Sequence, residues 1–192
     1  MTATSAPFGL RPAKHPSGQV RVEVGTIATG YATTIYRNGP VKMLNDGTLG
    51  AAAAGDAFVG CLIGVEYKDS TGKPCGGPWI ASTAATDIVA YFTRDPDIIY
   101  EIQASGSITQ THVGNLVDLA SAGAGSAALG TSTATADATS PGTASAQLQI
   151  LGFMPGPANA PGDAYTVVQV RIAEHQLSGW DSGGAYAADA GI

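Results

Sequence analysis

The chain has 192 residues, 44% of them apolar and 12% charged, with 26 glycines, 11 prolines and two cysteines. This is enough for one domain of ordinary size. Its longest apolar stretches, Phe58–Val65 and Ala51–Ala54, fall far short of the ~20 residues of a membrane-crossing helix, and so few charges exclude a coiled coil or a disordered polyampholyte.

The formal net charge of −6 is unevenly spread. Up to Arg94 there are eight Lys/Arg and six Asp/Glu (+2); from Asp95 onward one Arg faces nine acids (−8). The first 22 residues carry Arg11, Lys14 and Arg21 and no acid, so an acidic partner surface is expected there. Nucleic acid is not an expected partner, because phosphate binding needs a clustered basic stripe and most of this chain would repel a phosphate backbone. No membrane partner is expected, and residues 1–9 show no basic segment followed by an apolar run, so no secretory signal is expected.

In chain order, residues 1–18 hold Pro7, Pro12 and Pro16 and no periodicity of either kind. Proline fixes φ and pushes its predecessor toward extended backbone, which predicts an extended arm. Val20, Val22 and Val24 alternate with Arg21 and Glu23 and predict a half-buried strand. Further strands are expected at Tyr31–Arg37, Val41–Leu44, Phe58–Tyr67, Trp79–Ser82, Ile88–Thr93, Ile98–Gln103, Leu148–Phe153 and Tyr165–Ile172. In the last, Thr166, Val168, Val170 and Ile172 share one face. Turn signals at Asn38–Pro40, Asn45–Gly47, Asp69–Gly72, Asp95–Asp97 and Pro155–Pro157 separate these runs. The expected fold is all-β, a compact sandwich or barrel, jelly-roll-like among the options, with long irregular loops. Ala51–Ala54 is too short for an independent helix.

Two segments stand outside the sheet pattern. Residues 121–146 are a low-complexity Ser/Thr/Ala/Gly stretch inside the β domain of residues 19–177, expected to be an exposed loop whose shortening by ten residues costs under about 1 kcal/mol. Residues 178–192 form a Gly/Ala-rich tail with Trp180 and Tyr186 as isolated apolar anchors, the candidates for contacts between subunits.

Chemistry has little to stand on. Cys61 and Cys75 flank no histidine, and His15, His112 and His175 are scattered, so no zinc site is expected. Cys61 reads as a core residue and Cys75 as an exposed loop thiol. Gly123–Ala128 spells Gly-x-Gly-x-x-Ala but lacks a following helix, and no cofactor is expected. Asp95, Asp97 and Glu101 cluster in sequence without a calcium-loop pattern, and Asp95-Pro-Asp97 is better read as a turn. No nucleophile elbow is present. The chain is not expected to be an enzyme.

Several stretches together resemble a family of tailed-bacteriophage virion proteins, the head decoration or cement-like capsid proteins. They are Ala6–Pro12, Gly25–Tyr36, Gly60–Tyr67, Asp95–Gln103, Val113–Asp118, Leu148–Phe153 and Val168–His175, in order over most of the chain; residues 121–146 have no counterpart. The resemblance implies a non-enzymatic protein on the outer capsid surface, present in host cytoplasm during assembly, commonly a homotrimer, that bridges subunits of the major capsid protein. Pro7, Phe8, Leu10, Arg11, Pro12 and Lys14 are the capsid-contact candidates, and the arm is expected to become ordered only on its partner. The rival expectations are a virion-surface binding module for a host or carbohydrate ligand, and an unrecognised enzyme.

Overall fold

The computed structural model describes residues 4–79, 84–139, 141–142 and 146–178. The fold is all-β, with several antiparallel sheets. The strands are β1 (Arg11–Lys14), β2 (Glu23–Thr26), β3 (Pro40–Met43), β4 (Leu49–Ala51), β5 (Gly60–Lys68), β6 (Pro74–Gly77), β7 (Thr86–Phe92), β8 (Ile99–Gln103), β9 (Leu116–Val117), β10 (Leu119–Ala120), β11 (Gly125–Ser126), β12 (Thr131–Ser132), β13 (Thr135–Ala136), β14 (Leu148–Phe153) and β15 (Val167–Ile172). One sheet runs β1-β8-β15-β14-β9; a second runs β2-β7-β5-β3-β4, with β6 also paired to β5.

Strand β15 shows why the first sheet forms. Thr166, Val168, Val170 and Ile172 are buried while Arg171 is exposed, the period-2 alternation of a strand with one face on a core. Tyr100 and Ile102 of β8 and Leu148 and Ile150 of β14 join the same core, which Phe58 and Cys61 enter from the second sheet. In β5 the register shifts between Leu62 and Gly64. This bulge lets Leu62 and Val65, three positions apart, both face a second core with Val41, Leu49, Ile88, Ala90, Phe92 and Trp79. The central strand is thus buried on both sides, which accounts for its nearly unbroken apolar sequence.

The second sheet curls strongly. A Cβ on Gly25 of β2 would stand 3.2 Å from Leu49 Cδ1 of β4, although these strands are its two ends. The ends do not pair, so the sheet stays open rather than closing into a barrel.

Several expectations need correction. Tyr31–Arg37 is not a strand: only Ile35 and Arg37 make isolated bridges, to Trp79 and Thr131. Of the predicted strand at Trp79–Ser82, only Trp79 lies among the described residues. The strand expected around Val20–Val24 begins at Glu23, and Val22 and Val24 point to solvent, because the inward position is taken by Gly25 against Phe92 and Leu49. Cys75 is a half-buried residue of β6, not a loop thiol.

The low-complexity stretch is not a free loop where it is described. It forms β11, β12 and β13 in small antiparallel pairs. Ala122, Ser132, Ala134 and Ala136 are buried. The Arg37 amide donates to the Gly130 carbonyl at 3.0 Å, and the Ser132 amide to the Arg37 carbonyl at 2.8 Å. Small side chains here permit close approach, as at Gly125, where a Cβ would overlap the Tyr36 ring.

Candidate functional site

The amino-terminal arm, expected to wait for a partner, is built into its own subunit. β1 pairs with the edge of β8, with Arg11 opposite Glu101 and Pro12 opposite Tyr100. Proline is tolerated there because an edge strand has one side without a hydrogen-bonding neighbour. The Leu10 amide donates to the Asn38 carbonyl at 2.8 Å, and the Asn38 side-chain amide donates to the Phe8 carbonyl at 3.0 Å. The Ala6 amide donates to Gln103 Oε1 at 2.8 Å, and Gln103 Nε2 donates to the Thr4 carbonyl at 3.1 Å. Gly9 adopts φ +76°, and a Cβ there would meet the Asn38 carbonyl at 2.5 Å.

The six arm candidates therefore divide. Leu10 is fully buried in the first core, so it is withdrawn as a capsid contact. Pro7, Phe8 and Pro12 are half-buried, while Arg11 and Lys14 are exposed. Arg11 pairs with Glu101 at 2.6 Å and stacks 4.5 Å from the Phe8 ring centre; Lys14 Nζ donates to Gln169 Oε1 at 3.4 Å. Trp180 and Tyr186, the subunit-contact candidates, lie outside the described residues.

A second surface was not legible as a site in the sequence. β2 is a terminal strand of its sheet. Val22 and Val24 are 46% and 66% exposed, and Leu177 is 53% exposed. On the face opposite Val22 and Val24, Arg21, Glu23, Arg94, Asp95, Pro96 and Leu177 line a cleft of about 500 Å³. Arg94 Nη2 stands 3.9 Å from Glu23 Oε2. At its rim His15 Nε2 faces Asp95 Oδ2 at 3.4 Å. The signal available in the sequence was the pairing of exposed-face valines with Arg21 and Glu23, but period 2 alone does not say which face is buried.

The remaining chemical candidates resolve as structure. Burial pushes the Cys61 thiol up to about 12, against a hydrogen bond from Thr93 that lowers it, so at neutral pH it is a packing thiol and not a nucleophile. Thr93 Oγ1 also lies 2.9 Å from Tyr100 Oη, satisfying two buried hydroxyls. Gly123–Ala128 enters the β11–β12 hairpin rather than a helix. Asp95 and Asp97 form the expected turn, the Asp97 amide donating to Asp95 Oδ1 at 2.9 Å, whereas Glu101 is turned to Arg11. His175 is buried; the Leu177 amide donates to its Nδ1 at 3.1 Å, and burial lowers its pKa. His112 sits in a short 3-10 turn, where its Nδ1 accepts the Thr109 amide at 3.3 Å.

Compared with protein-family models, with curated proteins and with solved structures, the chain finds no match.

Proposed function

We propose that this protein is a virion structural protein that decorates a tailed-phage capsid and bridges its major capsid subunits, without chemistry of its own. The observation that carries this reading is the exposed β2 rim. Val22 and Val24 stand in solvent on one face of the strand, and Leu177 is exposed in the cleft on the other face with Arg21, Glu23, Arg94 and Asp95. Exposed apolar groups beside charged ones are what a docking surface presents; the cleft's two arginines are matched by Glu23 and Asp95, so its polarity is mixed. The arm adds Arg11 and Lys14 on another edge of the body. As a homotrimer on a repeating lattice, the protein would attach through several weak contacts at once, raising avidity by roughly 10²–10⁴ where geometry allows simultaneous engagement.

The carbohydrate-module alternative draws less support. Trp79 is fully buried, edge-on to Tyr67 at 5.4 Å, and the Tyr31 hydroxyl accepts the Ala51 amide at 2.7 Å, so neither ring is part of a sugar platform.

Co-sedimentation with assembled shells tests the reading. Val24→Asp is expected to weaken shell binding by about tenfold or more, the effect of losing roughly 1.4 kcal/mol of contact, while changing folding stability by no more than about 0.5 kcal/mol at an exposed position. Unchanged binding would remove the β2 rim from the interface.

A further inference from the structure

We propose that His15, Asp95 and Asp97 form a site for a divalent transition-metal ion of the zinc type, which fastens the segment after β1 to the β7–β8 turn. The ligand atoms of these three side chains all lie within 4.8 Å of one another. They come from two segments 80 positions apart in sequence, brought together because β1 pairs with β8.

The geometry is nearly that of a bound ion. Metal–ligand bonds of about 2.0–2.2 Å place tetrahedral ligand atoms roughly 3.5 Å apart. His15 Nε2 and Asp95 Oδ2 are already 3.4 Å apart, so only Asp97 has to close in. The Asx turn orients the Asp95 carboxylate: its Oδ1 accepts the Asp97 amide, leaving Oδ2 for the ion, while the Asp97 side chain is exposed.

His15 Nε2 is buried from solvent and makes no hydrogen bond of good geometry among the described residues; the Asp95 Oδ2 it faces at 3.4 Å is itself one of the proposed ligands, and an ion between the two would satisfy both. The other ring nitrogen has its support in place. Ser17 Oγ stands 2.6 Å from Nδ1 and within 3.5 Å of the Gln19 carbonyl, to which it can donate. Its lone pair is then free to accept Nδ1–H, the arrangement that presents the Nε2 lone pair to a metal. In the metal-free ring the Ser17 amide donates to Nδ1 at 3.1 Å; metal binding moves the ring proton to Nδ1, and the bond to Oγ replaces that one. Arg94, the nearest cation in sequence, reaches toward Glu23 instead.

The ligand set selects the ion. One imidazole and two carboxylates suit zinc, cobalt or manganese, with water completing the shell. Calcium wants six to eight oxygens, more than this turn supplies.

Calorimetric titration of the full-length protein with Zn²⁺, Co²⁺ and Ca²⁺, paired with thermal melts, tests the site. The expected result is one equivalent of Zn²⁺ bound with a raised Tm, and binding at least about tenfold weaker in both His15→Ala and Asp97→Asn, as expected when a ligand is lost. Asp97 is exposed, so the Asp97→Asn variant reads out the site even where His15→Ala folds poorly. Absence of Zn²⁺ binding, Zn²⁺ affinity in either variant equal to that of the unsubstituted protein, or Ca²⁺ bound as tightly as Zn²⁺ would each overturn the proposal.

Discussion

Leu10 shows at the scale of one residue how a chain segment changes meaning once its neighbours are known. In sequence it sits between prolines and looks available to a partner; in the structure it is fully buried against the core shared by β8, β14 and β15. Leu10→Ala is therefore expected to cost about 2–5 kcal/mol, measured by urea denaturation. A loss under about 0.5 kcal/mol would return Leu10 to the surface. His175 carries a pH signature. Its pKa is lowered, first by burial, with the backbone at Val59 and Arg94 and the charge of Asp95 opposing. The unfolded chain therefore takes up a proton that the folded chain resists. Stability is full above about pH 6.5, the unfolded value, and falls as pH drops below it. Melts between pH 7.5 and 5 should show this decline, and His175→Gln should flatten it. An identical slope in the variant would assign the decline to other groups.

The elements differ in how openly the sequence declares them. β8, β14 and β15 were legible because each alternates against one core, and the turns at Asp69–Gly72 and Asp95–Asp97 carry the Asx bonds their residue types suggest. β1 was hidden because Pro12 argues against a strand until an edge position explains it. β2 was displaced because its two exposed valines mimic a buried face. The stretch after Ser121 was hidden for another reason: Ala, Ser and Thr have no periodic apolar signal, and its order comes from distant partners such as Arg37 and Tyr36. Removing residues 123–132 would strip Arg37 of both its backbone partners and expose the region around Ala134 and Ala136. The expected cost is about 1–3 kcal/mol, the range for leaving buried polar groups unpaired, against under about 1 kcal/mol for a free loop. Denaturant unfolding of the shortened chain decides between the two values. The candidate rim was the least legible part, since it depends on which strand ends the curled sheet.

At the scale of the whole molecule, an all-β body with its arm folded into its own sheet offers a partner a preformed surface rather than a disordered hook. Association then requires little ordering of backbone, so weak contacts at the β2 rim can add up across a lattice. Under the proposed capsid role the target would also be specific, because the spaced sites would exist on an assembled shell and not on a free capsid subunit. The most direct measurement is calorimetric melting of bare shells and of shells saturated with this protein. The account predicts that decorated shells open at a higher temperature, and that the protein binds assembled shells more tightly than isolated capsid subunits. Equal melting temperatures with and without the bound protein would contradict it.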